Sequence, residues 1–210
     1  MTYSEYVVHV PRVSARVVTV LCVLGVPSLV WAQAQGPVTV AACAPCHGAN
    51  TAAAAPGGPA FPTLDGQQAV YLYKQLREYK SGKRKGPVMA PLAAALKPQQ
   101  MAAMATHFAS QTPAAGASQN ADLTARGKTL YEEGNRSSGV PACIGCHMAN
   151  GSGHERYPRL AGQRQNYIVQ QLTEFKSAAR TNDPAHVMRA IAGHLTEEEI
   201  RAVAEYLAGR

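Results

Sequence analysis

The chain has 210 residues, 46% of them hydrophobic, and a formal charge of +7, a length that suits two small domains. The densest basic cluster, Lys80, Lys83, Arg84 and Lys85, has no aromatic stacking platform beside it, which sets nucleic acid aside as a partner. Of the five cysteines, four fall in two short motifs and Cys22 lies near the N-terminus, so none remains for a structural disulfide or a Cys-rich zinc site.

The N-terminus reads as an export signal. Arg12 and Arg16 precede an apolar run over 17–26, and Ala32 and Ala34 frame a small-x-small cleavage site. Residues 1–34 are therefore expected to be removed after Ala34. The run is short for a full span and is broken at Pro27, which argues against a retained anchor. No other segment is long and apolar enough to cross a bilayer. Cleavage would remove Arg12, Arg16 and Glu5 and leave the chain basic.

Next come Cys43-Ala-Pro-Cys46-His47 and, 100 residues later, Cys143-Ile-Gly-Cys146-His147. Cys-x-x-Cys-His is the attachment signature of c-type haem. Each thiol adds across a haem vinyl group, and the adjacent histidine reaches the iron. A zinc site would need further Cys or His ligands at set spacings. A thioredoxin-like redox pair would need a βαβ context, and no strand pattern flanks either motif. Such haem is attached outside the bacterial cytoplasm, in agreement with an export signal.

The stretch 61–84 repeats as 157–180: at an offset of 96, 11 of 24 positions are identical. Met89 then matches Met188 and Leu96 matches Leu195 at an offset of 99. One domain has been duplicated, with one haem motif per copy. The predicted division is 35–110 for the first domain, 111–121 for a small, polar linker holding Pro and Gly, and 122–210 for the second. So short a linker predicts that the domains touch.

Each copy reads as helical. Val70, Leu72, Leu76 and Tyr79 fall largely on one face of a helix after Gly66, and Tyr167, Ile168, Leu172 and Phe175 do so in the second copy. Pro98 opens a helix striped by Met101, Met104, Ala105 and Phe108. A helix near 123–133 places Leu130 and Tyr131 inward, ahead of the second motif. Thr196 and Glu199 form a capping box before the stripe Ile200, Val203, Ala204 and Leu207. The fold class is all-α, with each haem forming much of its domain's core.

The sixth iron ligand separates carriers from catalysts, because a protein methionine closes the iron and raises its potential. Met89 lies 42 residues after His47 and Met188 lies 41 after His147, which makes them the candidate ligands. Met101 and Met104 lie on a helical stripe and read as core packing. Met148 stands where the first copy has Gly48. His154 and His186 compete for the second iron, but neither has a counterpart in the first copy. His107 and His194 read as surface or packing residues.

Two Cys-x-x-Cys-His motifs, each followed by Pro-x-Leu-x-Gly-Gln, Tyr-x-x-x-Gln-Leu, Lys-Ser-x-x-Arg, a later Met and a terminal helix, resemble the dihaem cytochrome c4 family, whose members are tandem class I cytochromes c of the bacterial periplasm. The resemblance spans about residues 38–208. It implies two tandem class I cytochrome c domains, each wrapped around one covalent haem c. Cys43, Cys46, Cys143 and Cys146 would be the thioether sites. His47 and Met89 would ligate the first iron, His147 and Met188 the second, with Pro62 and Pro158 beside the histidines. One departure stands out: cleavage after Ala34 leaves only eight residues before Cys43, so the first domain either lacks the full helix that normally opens such a domain or draws it from the apolar N-terminus.

The implied function is a periplasmic electron carrier between respiratory-chain donors and a terminal oxidase or reductase. No substrate bond is made or broken, so the chain is not expected to be an enzyme. The implied partners are membrane redox complexes, such as a quinol–cytochrome c reductase and a terminal oxidase, or other periplasmic redox proteins. Peripheral membrane association is compatible with this. The alternatives are a dihaem electron-accepting subunit of a periplasmic dehydrogenase and a dihaem peroxidase. The matched methionines argue against the peroxidase.

Overall fold

In the computed structural model the described residues are 40–48, 60–113 and 115–210. The expected export signal at 1–34 lies outside them. The helices are α1 (Ala44–His47), α2 (Ala69–Lys80), α3 (Met89–Ala94), α4 (Pro98–Ala109), α5 (Ala121–Glu133), α6 (Ile144–His147), α7 (Gln165–Lys176), α8 (Val187–His194) and α9 (Glu197–Ala208). Short 3-10 turns precede α1 and α8. Among the described residues, β structure is limited to isolated bridges, Asn135 with Val140 and His154 with Tyr157.

Local chemistry sets the helix ends. Asn120 caps α5 by accepting from the Leu123 N–H at 3.0 Å, which starts this helix two residues ahead of the predicted Leu123. Pro98 occupies the first turn of α4. The predicted box at α9 is present in both directions: Glu199 N–H donates to Thr196 Oγ1 at 3.1 Å and Thr196 N–H to Glu199 Oε2 at 2.8 Å.

In the second half α9 lies across α5 and α7, and α8 lies against α7. Leu130, Tyr131, Ile168, Val203, Tyr206 and Leu207 form the shared core. Gly127 allows the close crossing of α5 over α9, because a Cβ there would run into the Ala202 carbonyl. In the first half α2 packs on α3 and α4 around Leu72, Ala105 and Phe108, with Leu96, Met101 and Met104 in a second cluster. Both helical methionines are core residues, as their stripe predicts.

The halves join as one compact unit through a nearly two-fold arrangement of polar groups. Arg84 donates to Gln75 Oε1 of its own half at 2.8 Å, and across the interface to Gln171 Oε1 at 2.7 Å and Tyr167 Oη at 3.0 Å. Arg180, its repeat partner, donates to Gln171 Oε1 at 2.6 Å, Gln75 Oε1 at 3.3 Å and Tyr71 Oη at 3.1 Å. Each guanidinium also lies over an aromatic ring, Arg84 on Tyr79 at 4.7 Å and Arg180 on Phe175 at 4.4 Å.

This interface changes one expectation. Val70 was placed on the apolar face of α2 but is 59% exposed, while Gln75 and Glu78 are buried. The helix has two covered faces, one on its own core and one on the other half, and the second face is polar. Of the basic cluster only Arg84 leaves the surface, while Lys80, Lys83 and Lys85 stay exposed. Arg84 is buried in the interface, and Lys80 Nζ donates to the Ala94 and Leu96 carbonyls at 3.0 and 2.6 Å. Lys83 pairs with Glu78 at 3.4 Å. The stretch 115–120 runs along the end of α9, where Glu205 accepts from the Gln119 and Asn120 backbone N–H groups.

Candidate functional site

Cys-x-x-Cys-His works as a single helical turn. His47 N–H and Cys46 N–H both donate to the Cys43 carbonyl, at 3.0 and 3.2 Å. Residues at i, i+3 and i+4 share one helix face, so two thiols and an imidazole emerge together. The second motif repeats this turn, with His147 and Cys146 donating to Cys143 O at 2.9 and 3.2 Å. All four thiols are free and partly exposed. Burial, with the neighbouring Cys46, pushes the Cys43 thiol up; burial pushes Cys143 up to about 11. No zinc-like set surrounds the thiols: among the described residues no three His, Cys, Asp or Glu side chains cluster to hold a metal ion.

Both histidines are buried, and each is oriented by a proline carbonyl. His47 Nδ1 donates to Pro62 O at 2.9 Å and His147 Nδ1 to Pro158 O at 3.0 Å. A carbonyl can only accept, so the proton sits on Nδ1 and the Nε2 lone pair is left to bind a metal. Burial holds His47 below the usual histidine range; the Pro62 bond opposes this and the nearby Arg164 cation adds to it. Burial does the same to His147, opposed by Pro158 and aided by His154. Both rings are therefore neutral, as ligands must be. Phe61 and Tyr157 flank the two imidazoles at centroid distances of 6.3 and 5.9 Å.

These observations fit a covalently held iron porphyrin at each motif. The thiols and the free imidazole nitrogen share one face, and the opposite imidazole nitrogen is already fixed. The candidate methionines are half-buried: Met89 opens α3, and Met188 lies in the first turn of α8. Their approaches differ. Gly86-Pro87-Val88 leads to Met89, whereas the turn before Met188 holds Ala185 and His186 in left-handed conformation, at φ 51° and 60°. His107, His154, His186 and His194 are all exposed, and so is Met148.

Sequence reasoning missed the side chains that tie the two motifs together. Gln163 accepts from Thr63 N–H at 2.9 Å and donates to Thr63 O at 3.0 Å, and Gln67 makes the mirror pair with Arg159 at 2.8 and 2.9 Å. Thr63 and Arg159 directly follow the prolines that hold the histidines. A signal was present in the repeat, where both glutamines are identical, but identity alone does not say whether a residue faces its own core or its twin.

The sequence model of the family described as Cytochrome c matches residues 34–112 and again 124–210. A cytochrome c4 from Azotobacter vinelandii is 39% identical over 207 residues, covering 91% of this chain and 97% of that protein. A thiosulfate dehydrogenase electron acceptor from Stutzerimonas stutzeri (strain A1501) is 37% identical, covering 85% of this chain and 83% of its own. The crystal structure of cytochrome c4 from Pseudomonas stutzeri superimposes with a TM-score of 0.74 at 36% identity, over 81% of this chain and 94% of that one.

Proposed function

We propose, on the premise that the chain belongs to the cytochrome c family as a dihaem cytochrome c4, a specific set of residues and partners for its electron-transfer function. The protein is an electron carrier and not an enzyme, all-α, with two tandem class I cytochrome c domains and two covalently bound haem c groups. Bound haem supplies a one-electron iron(III)/iron(II) couple.

In this reading Cys43 and Cys46 form the thioethers of the first haem, and Cys143 and Cys146 those of the second. His47 and Met89 close the first iron, His147 and Met188 the second. The observation that carries the assignment is the pair of neutral, carbonyl-anchored histidines, each on the same face of a turn as two free cysteines. Pro62 and Pro158 fix the rings and raise their basicity. Two methionine thioethers would favour the ferrous state, which suits a carrier. The domains run over 35–110 and 122–210, joined by 111–121.

The finer setting is the periplasm, with residues 1–34 as a removed signal. Among the described residues no helix is long and apolar enough to cross a membrane. The partners are redox proteins: a membrane quinol–cytochrome c reductase as donor and a terminal oxidase as acceptor. A second reading, electron acceptor of a periplasmic dehydrogenase, is favoured by the Stutzerimonas relative named for that role.

The test is the oxidised optical spectrum, in which the weak long-wavelength methionine–iron(III) band is measured against total haem. Two such bonds per two haems are expected. One or none would remove Met89 or Met188 from the assignment and bring a catalytic reading forward. Co-purification of a stable flavin-, quinone- or molybdenum-containing partner would select the dehydrogenase reading over the free carrier.

A further inference from the structure

The duplication allows the two haem motifs to be compared atom by atom, and one difference is a full charge. In the second half the carbonyls beside the motif are bonded from within that half. The Tyr131 hydroxyl of α5 donates to Met148 O at 2.7 Å, and His154 N–H donates to Tyr157 O at 2.9 Å. The equivalent carbonyls of the first half belong to Gly48 and Phe61, and their donor comes from across the interface. Arg164 Nη2 donates to Gly48 O at 2.6 Å, and Nη1 donates to Phe61 O at 2.7 Å and Cys46 O at 3.2 Å.

Arg164 is 9% exposed, and two of its three carbonyls flank His47 directly in sequence. Its repeat counterpart is Gln68, a neutral side chain that donates to Ser152 O at 3.2 Å. The second half thus lends a buried cation to the first motif, and the first half returns an uncharged amide. The cation is fixed at the site by geometry, since Cys46 O and Gly48 O, on either side of His47, both accept from its guanidinium.

We infer that Arg164 is a positioning residue that raises the reduction potential of the first haem relative to the second. The inference rests on His47 being that haem's ligand. Reduction adds one electron to iron(III), supplied by the redox partner, and breaks no bond. The charge of the site falls by one unit, and a fixed cation in a poorly screened interior stabilises the reduced form more than the oxidised one. The three carbonyls hold the guanidinium in one place, so little of this is lost to side-chain motion.

The experiment is spectroelectrochemical titration of the full haem-loaded chain and of Arg164→Gln. The haems are assigned by nuclear Overhauser contacts from their methyl groups to the Phe61 and Tyr157 rings, independently of the methionines. In Arg164→Gln the first potential should fall by roughly tenfold in the iron(III)/iron(II) equilibrium, about 59 mV, with the second unmoved. Arg164→Lys should recover more than half of that, whereas a residue that merely clamps the halves together would lose stability in both variants and leave both potentials alone. Unchanged potentials, an equal fall in both, or a fall confined to the second would overturn the inference. If Arg164→Gln loses its first haem, Gln68→Arg decides: it must raise the second potential, and an unchanged value refutes the charge argument. Failure of the ligand assignment looks different, because His47→Ala would then leave the optical spectrum of the first haem unchanged whatever Arg164 does.

Discussion

Arg180→Ala tests whether the polar interface holds the two halves together. The side chain is buried and donates to Asn182 Oδ1 at 2.8 Å, Gln171 Oε1 at 2.6 Å, Tyr71 Oη at 3.1 Å and Gln75 Oε1 at 3.3 Å. After truncation Gln171 keeps its bond from Arg84, and Gln75 keeps those from Arg84 and Asn182. The Tyr71 hydroxyl can turn. Asn182 Oδ1 is left without this donor on a residue 2% exposed, which costs about 1–3 kcal/mol. Loss of the cation from the Phe175 ring adds about 0.5–2 kcal/mol. Relief of one buried charge beside Arg84 offsets part of this. The expected loss is about 1–4 kcal/mol. Arg180→Lys should recover part of it, because an ammonium keeps the charge without the planar fork. Guanidinium unfolding of the haem-loaded protein, followed by far-ultraviolet circular dichroism, measures the loss. A decrease below about 1 kcal/mol would show that the network is bystander geometry and that apolar packing alone joins the halves.

Two further outcomes follow from named contacts. Gly127→Ala raises helix propensity by about 1 kcal/mol but drives a Cβ into the Ala202 carbonyl, and overpacking of about 1–3 kcal/mol should win. A raised melting temperature would disprove the close α5–α9 crossing. Burial pushes the Glu78 carboxyl up, but its bonds to Lys74, Asn182 and Lys83 and the charge of Lys74 outweigh that, so it lies below the usual glutamate range. A depressed folded value means its stabilisation is complete above the ordinary value of about 4.3 and is lost as pH falls through the folded one. Glu78→Gln should therefore flatten the fall in stability on acidification below about pH 4.3, and parallel profiles for the two proteins would refute this.

The parts of the site that depend on neighbours in sequence were legible without a structure. A Cys-x-x-Cys-His turn carries its own geometry, because helical spacing alone puts Cys43, Cys46 and His47 on one face. The repeat revealed the duplication, and the capping box at Thr196 and the stripe on α9 fixed the last helix. The stripe on α2 was only half right: periodicity identifies an apolar face, and it is silent when a second face is buried by glutamines and arginines, as at Gln75 and Arg84. Nothing local distinguishes the buried Arg84 from its exposed neighbours Lys80, Lys83 and Lys85, because its partners Tyr167 and Gln171 come from the other half.

The sequence by itself determined the cofactor chemistry, the two-fold repeat and the helical class, since all three are written in spacings of a few residues or in self-similarity. Only the tertiary structure decided how the copies meet, with Gln67 and Gln163 crossing to the backbone beside each other's proline and Arg164 reaching the first motif from the second half. The physical reason is that identical segments carry identical local preferences. The differences between them arise from which buried carbonyl lacks a donor once the chain has folded, and that is settled by contacts between residues about a hundred positions apart.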